Sequence, residues 1–302
     1  MPEEQIKTRA GYVAIVGKPN AGKSTFMNSI VGAKLSIVTP KPQTTRKRVL
    51  GIFTDEDSQM IFLDTPGILK PSYEMQKTMM DYVHSSLEEA DIVLVIVDLE
   101  KYESFDKYFN PGFFAYFKDL KKPKVLLLNK IDKFKNAKDV LPLIADISTK
   151  GIFDEIIPMS ALKNENTLAF VNVAKKFLPE GEFFYDEDML STQPQRFFVS
   201  ELIRETIFYK FEQEVPYSTE VAIVEFVERE NGKWYISAEI IIERQSQKKI
   251  VIGKGGEMLK EIGERARKEI EAHLEMPVYL ELFVKVREHW RENKSMLKSY
   301  GY

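Results

Sequence analysis

The chain has no cysteine. That excludes disulfides and thiolate metal sites, and with them the small stapled folds of secreted proteins. Long apolar runs are missing as well: none approaches the roughly 20 residues that a membrane-spanning helix needs. The first residues, MPEEQIKTRAGY, lack the apolar centre of a secretory leader, so none is expected. Neither charge is in large excess, since 43 Lys and Arg stand against 46 Asp and Glu for a net charge of −3. A general polyanion binder would be basic throughout, so any nucleic-acid contact must come from a local patch. No heptad seam offers a coiled-coil dimer, which says nothing more about oligomeric state; the expectation is a monomer. What remains is 302 residues, 44% of them hydrophobic. That suits a globular chain too long for one ordinary core, and two domains are expected.

The most informative stretch is Gly17, Lys18, Pro19, Asn20, Ala21, Gly22, Lys23, Ser24. It has the G-x-x-x-x-G-K-S spacing of a phosphate-binding loop. The apolar run Tyr12–Val16 before it reads as a strand, and Thr25–Val31 after it opens a helix. Strand, glycine loop and helix together make the pattern a site: glycines bring backbone N–H groups close to a phosphate, and the helix start adds unpaired donors. Lys23 is placed to reach the β- and γ-phosphates, and the Ser24 hydroxyl to bind Mg²⁺. Thr25 completes the candidate loop.

Residues 39–46 (TPKPQTTR) carry two prolines and no periodicity, which marks a long loop. Such a loop after the first helix is where nucleotide switches place a Thr that holds Mg²⁺ only while the γ-phosphate is present. Thr44 and Thr45 are the candidates, with Thr45 preferred. Two strand-like runs, 49–53 and 59–63, flank a polar turn and form a hairpin that ends in Asp64, Thr65, Pro66 and Gly67. Asp64 suits a water-mediated partner of Mg²⁺, and the Gly67 N–H a γ-phosphate contact. The run from Asp91 to Asp98 is almost continuously apolar, as in a parallel strand buried on both faces. Helices are expected over about 75–89 and 104–120, the second started or broken at Pro111-Gly112.

The next buried run, 124–128, ends in Asn129, Lys130, Ile131 and Asp132. A carboxylate only accepts hydrogen bonds, and guanine alone offers it two donors on one edge, N1–H and the 2-amino group. Adenine would leave Asp132 poorly paired, which a site built on buried polar groups rejects strongly. Asn129 can reach N7, and the Lys130 stem can lie over the ring. After the strand 155–159 come Ser160, Ala161 and Leu162, where the Ala161 N–H can donate to guanine O6.

The segments GKPNAGKS, QTTR, DTPG, NKID and SAL, in this order and spacing, resemble the translation-factor-type GTPases, and most of all the Era group. The resemblance implies an α/β fold, a mostly parallel six-stranded sheet with helices on both faces. GTP or GDP is the implied ligand and Mg²⁺ the cofactor, with Asn20, Lys23, Thr45 and Gly67 as catalytic residues. One position departs from the Ras pattern: Ile68 stands where a water-orienting Gln would follow the glycine, so intrinsic hydrolysis should be slow. In related GTPases with this PNxGKS loop, the Asn binds K⁺, so Asn20 raises the expectation of K⁺ stimulation.

Residues 182–195 are acidic and then Ser/Thr/Gln/Pro-containing, a linker between a first domain at 1–181 and a second at 196–302. The second reads helix, strand, Asn231-Gly232 turn, strand, then Ile250, Val251, Ile252, Gly253, Lys254, Gly255, Gly256 and an amphipathic helix with Leu259, Ile262, Ala266 and Ile270 at helical spacing. An isolated G-x-x-G is weak, but two helices flanking it resemble the KH RNA-binding motif. The order α-β-β-α-α-β is the type II arrangement, again as in the Era group. Between Arg244 and Lys268 the chain is locally basic, with Lys248 and Lys249 among eight Lys and Arg against Glu257, Glu261 and Glu264. Phosphate contacts would supply affinity, and Ile250, Val251 and Ile252 are candidate walls for unstacked bases. From His289 on, the chain reads as a short, solvated polar tail. The resemblance implies binding to 16S rRNA near its 3′ end, a role in 30S subunit maturation, and a cytoplasmic location with some peripheral association to the inner membrane.

Overall fold

The computed structural model describes residues 7–302, so part of the N-terminal stretch read above for a leader lies outside the described residues. The chain divides into two compact units. The first takes the described residues up to Ser36, then Thr45–Lys70 and Met79–Thr192. The second takes Ile37–Thr44, Pro71–Thr78 and Gln193–Tyr302.

Unit 1 is built on a six-stranded sheet of β1 (Arg9–Gly17), β2 (Val49–Thr54), β3 (Ser58–Asp64), β4 (Ile92–Asp98), β5 (Lys124–Asn129) and β6 (Glu155–Met159). The strand order is β2-β3-β1-β4-β5-β6. Only β2 runs antiparallel to its neighbour, because the polar turn 55–57 joins β2 to β3 directly. Every other pair is parallel and needs a crossover. The apolar runs are explained by this order: β3, β4 and β5 are buried at every residue. All phosphate- and base-reading motifs sit at the carboxyl ends of these strands, the usual place for ligands of open α/β sheets.

The helices of this unit are α1 (Lys23–Val31), α2 (Glu74–Glu89, which begins in the segment of unit 2), α3 (Phe105–Tyr108), α4 (Pro111–Phe114), α5 (Leu141–Ser148) and α6 (Thr167–Ala174). Phe26 of α1, Phe62 of β3 and Phe170 of α6 meet with ring centroids 5.5–6.0 Å apart. The helical segment expected over 104–120 breaks before Pro111, which starts a second helix as expected, but the two are short, capped by Ser104 and Asn110 and ending at Phe114. Pro111 removes a helical donor, and a cluster of Phe105, Phe109, Phe113 and Phe117 supplies order through ring packing rather than a helical ladder. The stretch read as a linker has no helix or strand, but it is held. Gln59 accepts from the N–H groups of Phe184 and Tyr185, and the Ile52 N–H donates to Leu190 O at 2.8 Å.

Unit 2 contains α7 (Gln195–Lys210), β7 (Glu220–Val227), β8 (Trp234–Ile242), α8 (Gln245–Ile252), α9 (Glu257–Leu274), β9 (Val278–Val286) and α10 (Lys294–Ser299). Its sheet order is β7-β8-β9, with β7 antiparallel and β9 parallel to β8. Ile262, Ala266 and Ile270 form the buried stripe of α9 and pack with Ile236, Ala238 and Ile240 of β8. The tail is not solvated as expected: Trp290 is completely buried, and its indole N–H donates to Ser218 O at 3.0 Å. Among the described residues no helix is long and apolar enough to cross a membrane.

Candidate functional site

The glycine loop leaves β1 and enters α1 through Gly22, whose φ of 100° is closed to most side chains. A Cβ there would lie 2.1 Å from Asn129 Nδ2. Gly17 is needed for close packing rather than for its φ: a Cβ would stand 2.5 Å from Ile96 O. Lys23 is buried and curls back over the loop, donating to Gly17 O at 3.4 Å and Lys18 O at 3.3 Å. Burial lowers its amine to about 8, against the raising effect of Asp64. Lys18 turns its Nζ onto the Tyr108 ring, 4.0 Å from the centroid, so its side chain is committed to packing. Asn20 holds a left-handed backbone with φ 63°, beside Pro19 and Ala21 at the crown of the loop.

Three oxygens converge behind the loop. Ser24 Oγ donates to Asp64 Oδ2 at 2.7 Å and lies 2.9 Å from Thr45 Oγ1. Asp64 is buried, and desolvation raises its carboxyl above the ordinary range. Its Oδ2 also accepts from Ser36 Oγ at 2.9 Å, while Oδ1 has no hydrogen-bond partner among the described residues. A buried carboxylate with one oxygen bonded to two hydroxyls and the other unpartnered, beside the Ser24 and Thr45 hydroxyls, is a hard-oxygen donor set that fits Mg²⁺ and its waters. Of the two threonines, the structure brings Thr45 to this cluster. Thr44 Oγ1 instead donates to Lys41 O at 2.7 Å and faces Thr39. Thr65 is structural, its hydroxyl donating to Ile15 O at 2.7 Å. Pro66 and Gly67 are buried beside it. Ile68 is buried too, and its N–H donates to Gly17 O at 3.0 Å, so nothing on its side chain can hold a water.

At the base end, Asn129 ties three segments together. Its Nδ2 donates to Ala21 O at 2.8 Å, and its Oδ1 accepts from the Lys130 N–H and, at 2.9 Å, from the Ala161 N–H. The Ala161 hydrogen expected to face guanine O6 is therefore engaged by Asn129 here, because the amide oxygen fixes this loop against β5. Ser160 Oγ donates to Asp132 Oδ1 at 2.5 Å, which aims the carboxylate. Leu162 is 72% exposed and makes no wall of the site. Lys130 adopts φ 73°, and its Nζ reaches Asp98 Oδ2 at 2.7 Å. Asp98 and Ser36 were missed in the sequence. Asp98 had a signal, as the single charge closing an apolar strand; Ser36 had none, since only folding brings it to Asp64.

In unit 2, α8 and α9 meet at Gly253–Gly256. Gly253 has φ 75°, and a Cβ would lie 2.6 Å from that of Met258. Gln247 accepts from the Glu243 and Arg244 N–H groups and so starts α8. Ile250 is 49% exposed, but Val251 is fully buried and belongs to the core rather than to a groove wall. Ile252 packs on the same core. Lys249 and Lys254 are exposed, and Lys248 is half-buried. A cleft of about 410 Å³ opens beside Gly256 and Gly255's turn, lined by Leu259, Lys260, Gly263, Leu280 and Leu282. These apolar walls come from the alternation of β9 and the helical spacing of Leu259.

The segment Ile37–Thr44 lies in unit 2 with α7. Arg204 Nη2 donates to Thr44 O at 2.7 Å, and Lys41 Nζ to Phe208 O at 2.6 Å near the helix C-terminus. Tyr209 OH donates to Val38 O at 2.8 Å, and the Val38 N–H to Glu205 at 3.1 Å. The backbone just before Thr45 is thus held along one helix.

Comparison with known proteins agrees with this arrangement. Residues 12–130 match the family described as 50S ribosome-binding GTPase, and residues 214–291 match the KH domain family. GTPase Era of Geotalea daltonii is 43% identical over 302 residues, the whole of both chains. A crystal structure of Era in complex with MgGDPNP and nucleotides 1506–1542 of 16S ribosomal RNA is 44% identical, covers 98% of this chain and 99% of its own, and superposes with a TM-score of 0.92. A variant of Aquifex aeolicus Era bound to GDP and aluminium fluoride matches with the same coverage and TM-score. With a P-loop GTPase domain followed by a KH domain and this identity over its full length, the chain belongs to the Era family of GTPases.

Proposed function

We propose that the chain binds and hydrolyses GTP with Mg²⁺ and uses its nucleotide state to control binding of 16S rRNA near its 3′ end during 30S subunit assembly. The observation that carries this reading is the convergence of Ser24, Thr45 and Asp64, with one carboxylate oxygen left unpartnered, where Thr45 directly follows a segment held by α7. Ser24 and Thr45 would hold Mg²⁺ directly and Asp64 through water. The metal would bridge the β- and γ-phosphates and neutralise the charge that develops on them. Lys23 would extend from the loop carbonyls to the same phosphates, and Gly67 would offer its N–H to the γ-phosphate. Asp132, aimed by Ser160, reads the base, with Asn129 holding the phosphate and base loops in one frame. In unit 2, Lys248, Lys249 and Lys254 meet RNA phosphates around Gly253–Gly256, while Ile250 and the apolar cleft take bases. Losing the γ-phosphate would free Thr45, and α7 would feel it through Thr44, Lys41 and Val38.

The test is the affinity of the full chain, unliganded, with GDP and with a non-hydrolysable GTP analogue, for an RNA copying the 3′ end of 16S rRNA at one fixed salt concentration. Tighter binding by at least about fivefold with the GTP analogue is expected, within the usual range of coupling between sites. Equal binding in all three states would leave a constitutive RNA scaffold. The same reading places the protein in the cytoplasm on the 30S subunit, as a monomer, with peripheral association to the inner membrane; sedimentation of cell fractions tests each part.

Two further outcomes are expected of the nucleotide site. Ile68 offers no hydrogen bond to the attacking water, so we expect K⁺ held by Asn20 to supply charge at the phosphates. Turnover should rise in K⁺ relative to Na⁺ and lose that difference in Asn20→Ala; equal turnover in both salts sinks the idea. The second concerns Lys23. Its folded value of about 8 lies below the 10.5 of a lysine exposed to water. Between the two, the unfolded chain holds a proton that the folded one lacks, so this group makes the unliganded protein more stable as pH rises through that window. Phosphates reverse the effect by favouring the ammonium. Nucleotide binding should therefore take up a proton above about pH 8, and affinity should fall as pH rises further. Calorimetric heats that are identical in buffers of different ionisation enthalpy would contradict this.

A further inference from the structure

Strand alternation divides the side chains of the unit 2 sheet between two faces. Ile236, Ala238 and Ile240 face the helices, and Leu280 and Leu282 line the cleft with α9. The paired positions Tyr235–Tyr279, Ser237–Glu281 and Glu239–Phe283 lie on the other side. Glu225 and Val227 of β7 join them through pairing with Ser237 and Tyr235.

One end of this outer face is covered by the chain's own tail. Ile241 is buried there, its partner Glu220 accepts from Tyr302 OH, and Trp290 is anchored on Ser218. The other end is bare. Tyr279 is 53% exposed, Phe283 50% and Val227 36%, a cluster on one face rather than apolar residues scattered singly. Tyr235 and Tyr279 stack with centroids 6.1 Å apart and planes 16° from parallel. Glu281 accepts from Tyr235 OH at 2.8 Å, which places a carboxylate beside the two rings. The guanidinium of Arg229, from the adjoining hairpin, stands 6.0 Å over the Tyr235 ring.

Charge distinguishes this face from the cleft on the other side of β9. Around the cleft, Arg244 to Lys268 is basic. Across the outer face and its hairpin, Glu225, Glu228, Glu230, Glu239 and Glu281 stand against Arg229, Lys233 and Lys285, and Lys285 is already paired with Glu239. RNA phosphates would meet carboxylates here. A guanidinium would find ring faces and a carboxylate together, the combination that favours arginine over lysine.

We propose that the outer face of this sheet, centred on Tyr235, Tyr279, Glu281 and Phe283, docks an extended arginine-rich segment of a protein partner. A guanidinium lies over the Tyr235–Tyr279 pair and against Glu281, and the alkyl stems of the segment cover Phe283 and Val227. The two faces of one sheet then sort their ligands by charge, RNA on the helical side and a basic protein on the other.

The test uses the full chain and two fluorescein-labelled octapeptides, alternating arginine-glycine and lysine-glycine, followed by anisotropy at low salt. The arginine peptide should bind more tightly than the lysine one. The double substitution Tyr279→Ser with Phe283→Ser should weaken it at least about fivefold, as loss of two exposed ring contacts implies. Glu281→Gln, which preserves shape, should weaken it in the same direction. GTP turnover and affinity for a single-stranded RNA should be unchanged in both variants. Equal binding of the two peptides, insensitive to both variants, would overturn the proposal. A fall in RNA affinity with no change for the peptide would overturn it too, by making this face an RNA platform.

Discussion

Replacing Asp132 with Asn lowers the affinity for GTP by about a thousandfold or more and raises that for XTP, because a base-reading carboxylate is exchanged for a group that can donate. Guanine presents N1–H and an amino group to the carboxylate, whereas xanthine presents a carbonyl at position 2, to which the new amide donates. The substitution leaves the rest of the site in place. Asp132 is only half-buried, and the remaining oxygen can still accept from Ser160 Oγ, now at 2.5 Å. Competition of GTP, XTP and ATP against a fluorescent guanine nucleotide measures the change. An unaltered preference for GTP would mean that Asp132 does not read the base. A preference for ATP in the unsubstituted protein would overturn the guanine reading itself.

Gly22→Ala should lower nucleotide affinity by at least about a hundredfold, since a displacement of 1 Å in positioning groups has effects of that size. Two costs coincide at this position. A φ of 100° is strained for any residue with a Cβ, and the new methyl would stand 2.1 Å from Asn129 Nδ2. Asn129 cannot yield without breaking its bonds to Ala21 O and the Ala161 N–H. The loss should therefore fall on the phosphate loop and the base loop together, with about 2–4 kcal/mol of stability. Gly32→Ala is the control. Gly32 also has positive φ, 75°, but nothing lies within 4 Å of its added Cβ. It should lose about 1 kcal/mol with nucleotide affinity unchanged. Equal effects of the two substitutions on nucleotide affinity would show that backbone strain, not the Asn129 contact, is what matters.

Much of the first unit was legible because its signals are local. A buried parallel strand announces itself by a continuous apolar run, and each run here ends in a residue that does chemistry: Gly17, Asp64, Asn129. The segment 104–120 was less legible. Its phenylalanines satisfy helical spacing, but they pack ring against ring around Pro111 in two short helices. The tail was misread for a related reason. Its polar composition dominates the pattern, whereas the decisive term is one tryptophan, buried with its indole N–H on Ser218 just before β7 and its ring against Tyr300 and Tyr302.

By itself the sequence determined the class of ligand: the phosphate loop, the carboxylate that selects guanine, and the glycine turn between two helices each depend on residue type at close spacing. Tertiary structure alone decided the rest. It brought Thr45 rather than Thr44 to Ser24, gave Asp64 a second donor in Ser36, moved Val251 from groove to core, and placed Ile37–Thr44 with α7. The physical reason is range. Turn conformation and hydrogen-bonding chemistry are carried by neighbouring residues, whereas burial and convergence depend on which surfaces meet once distant segments pack.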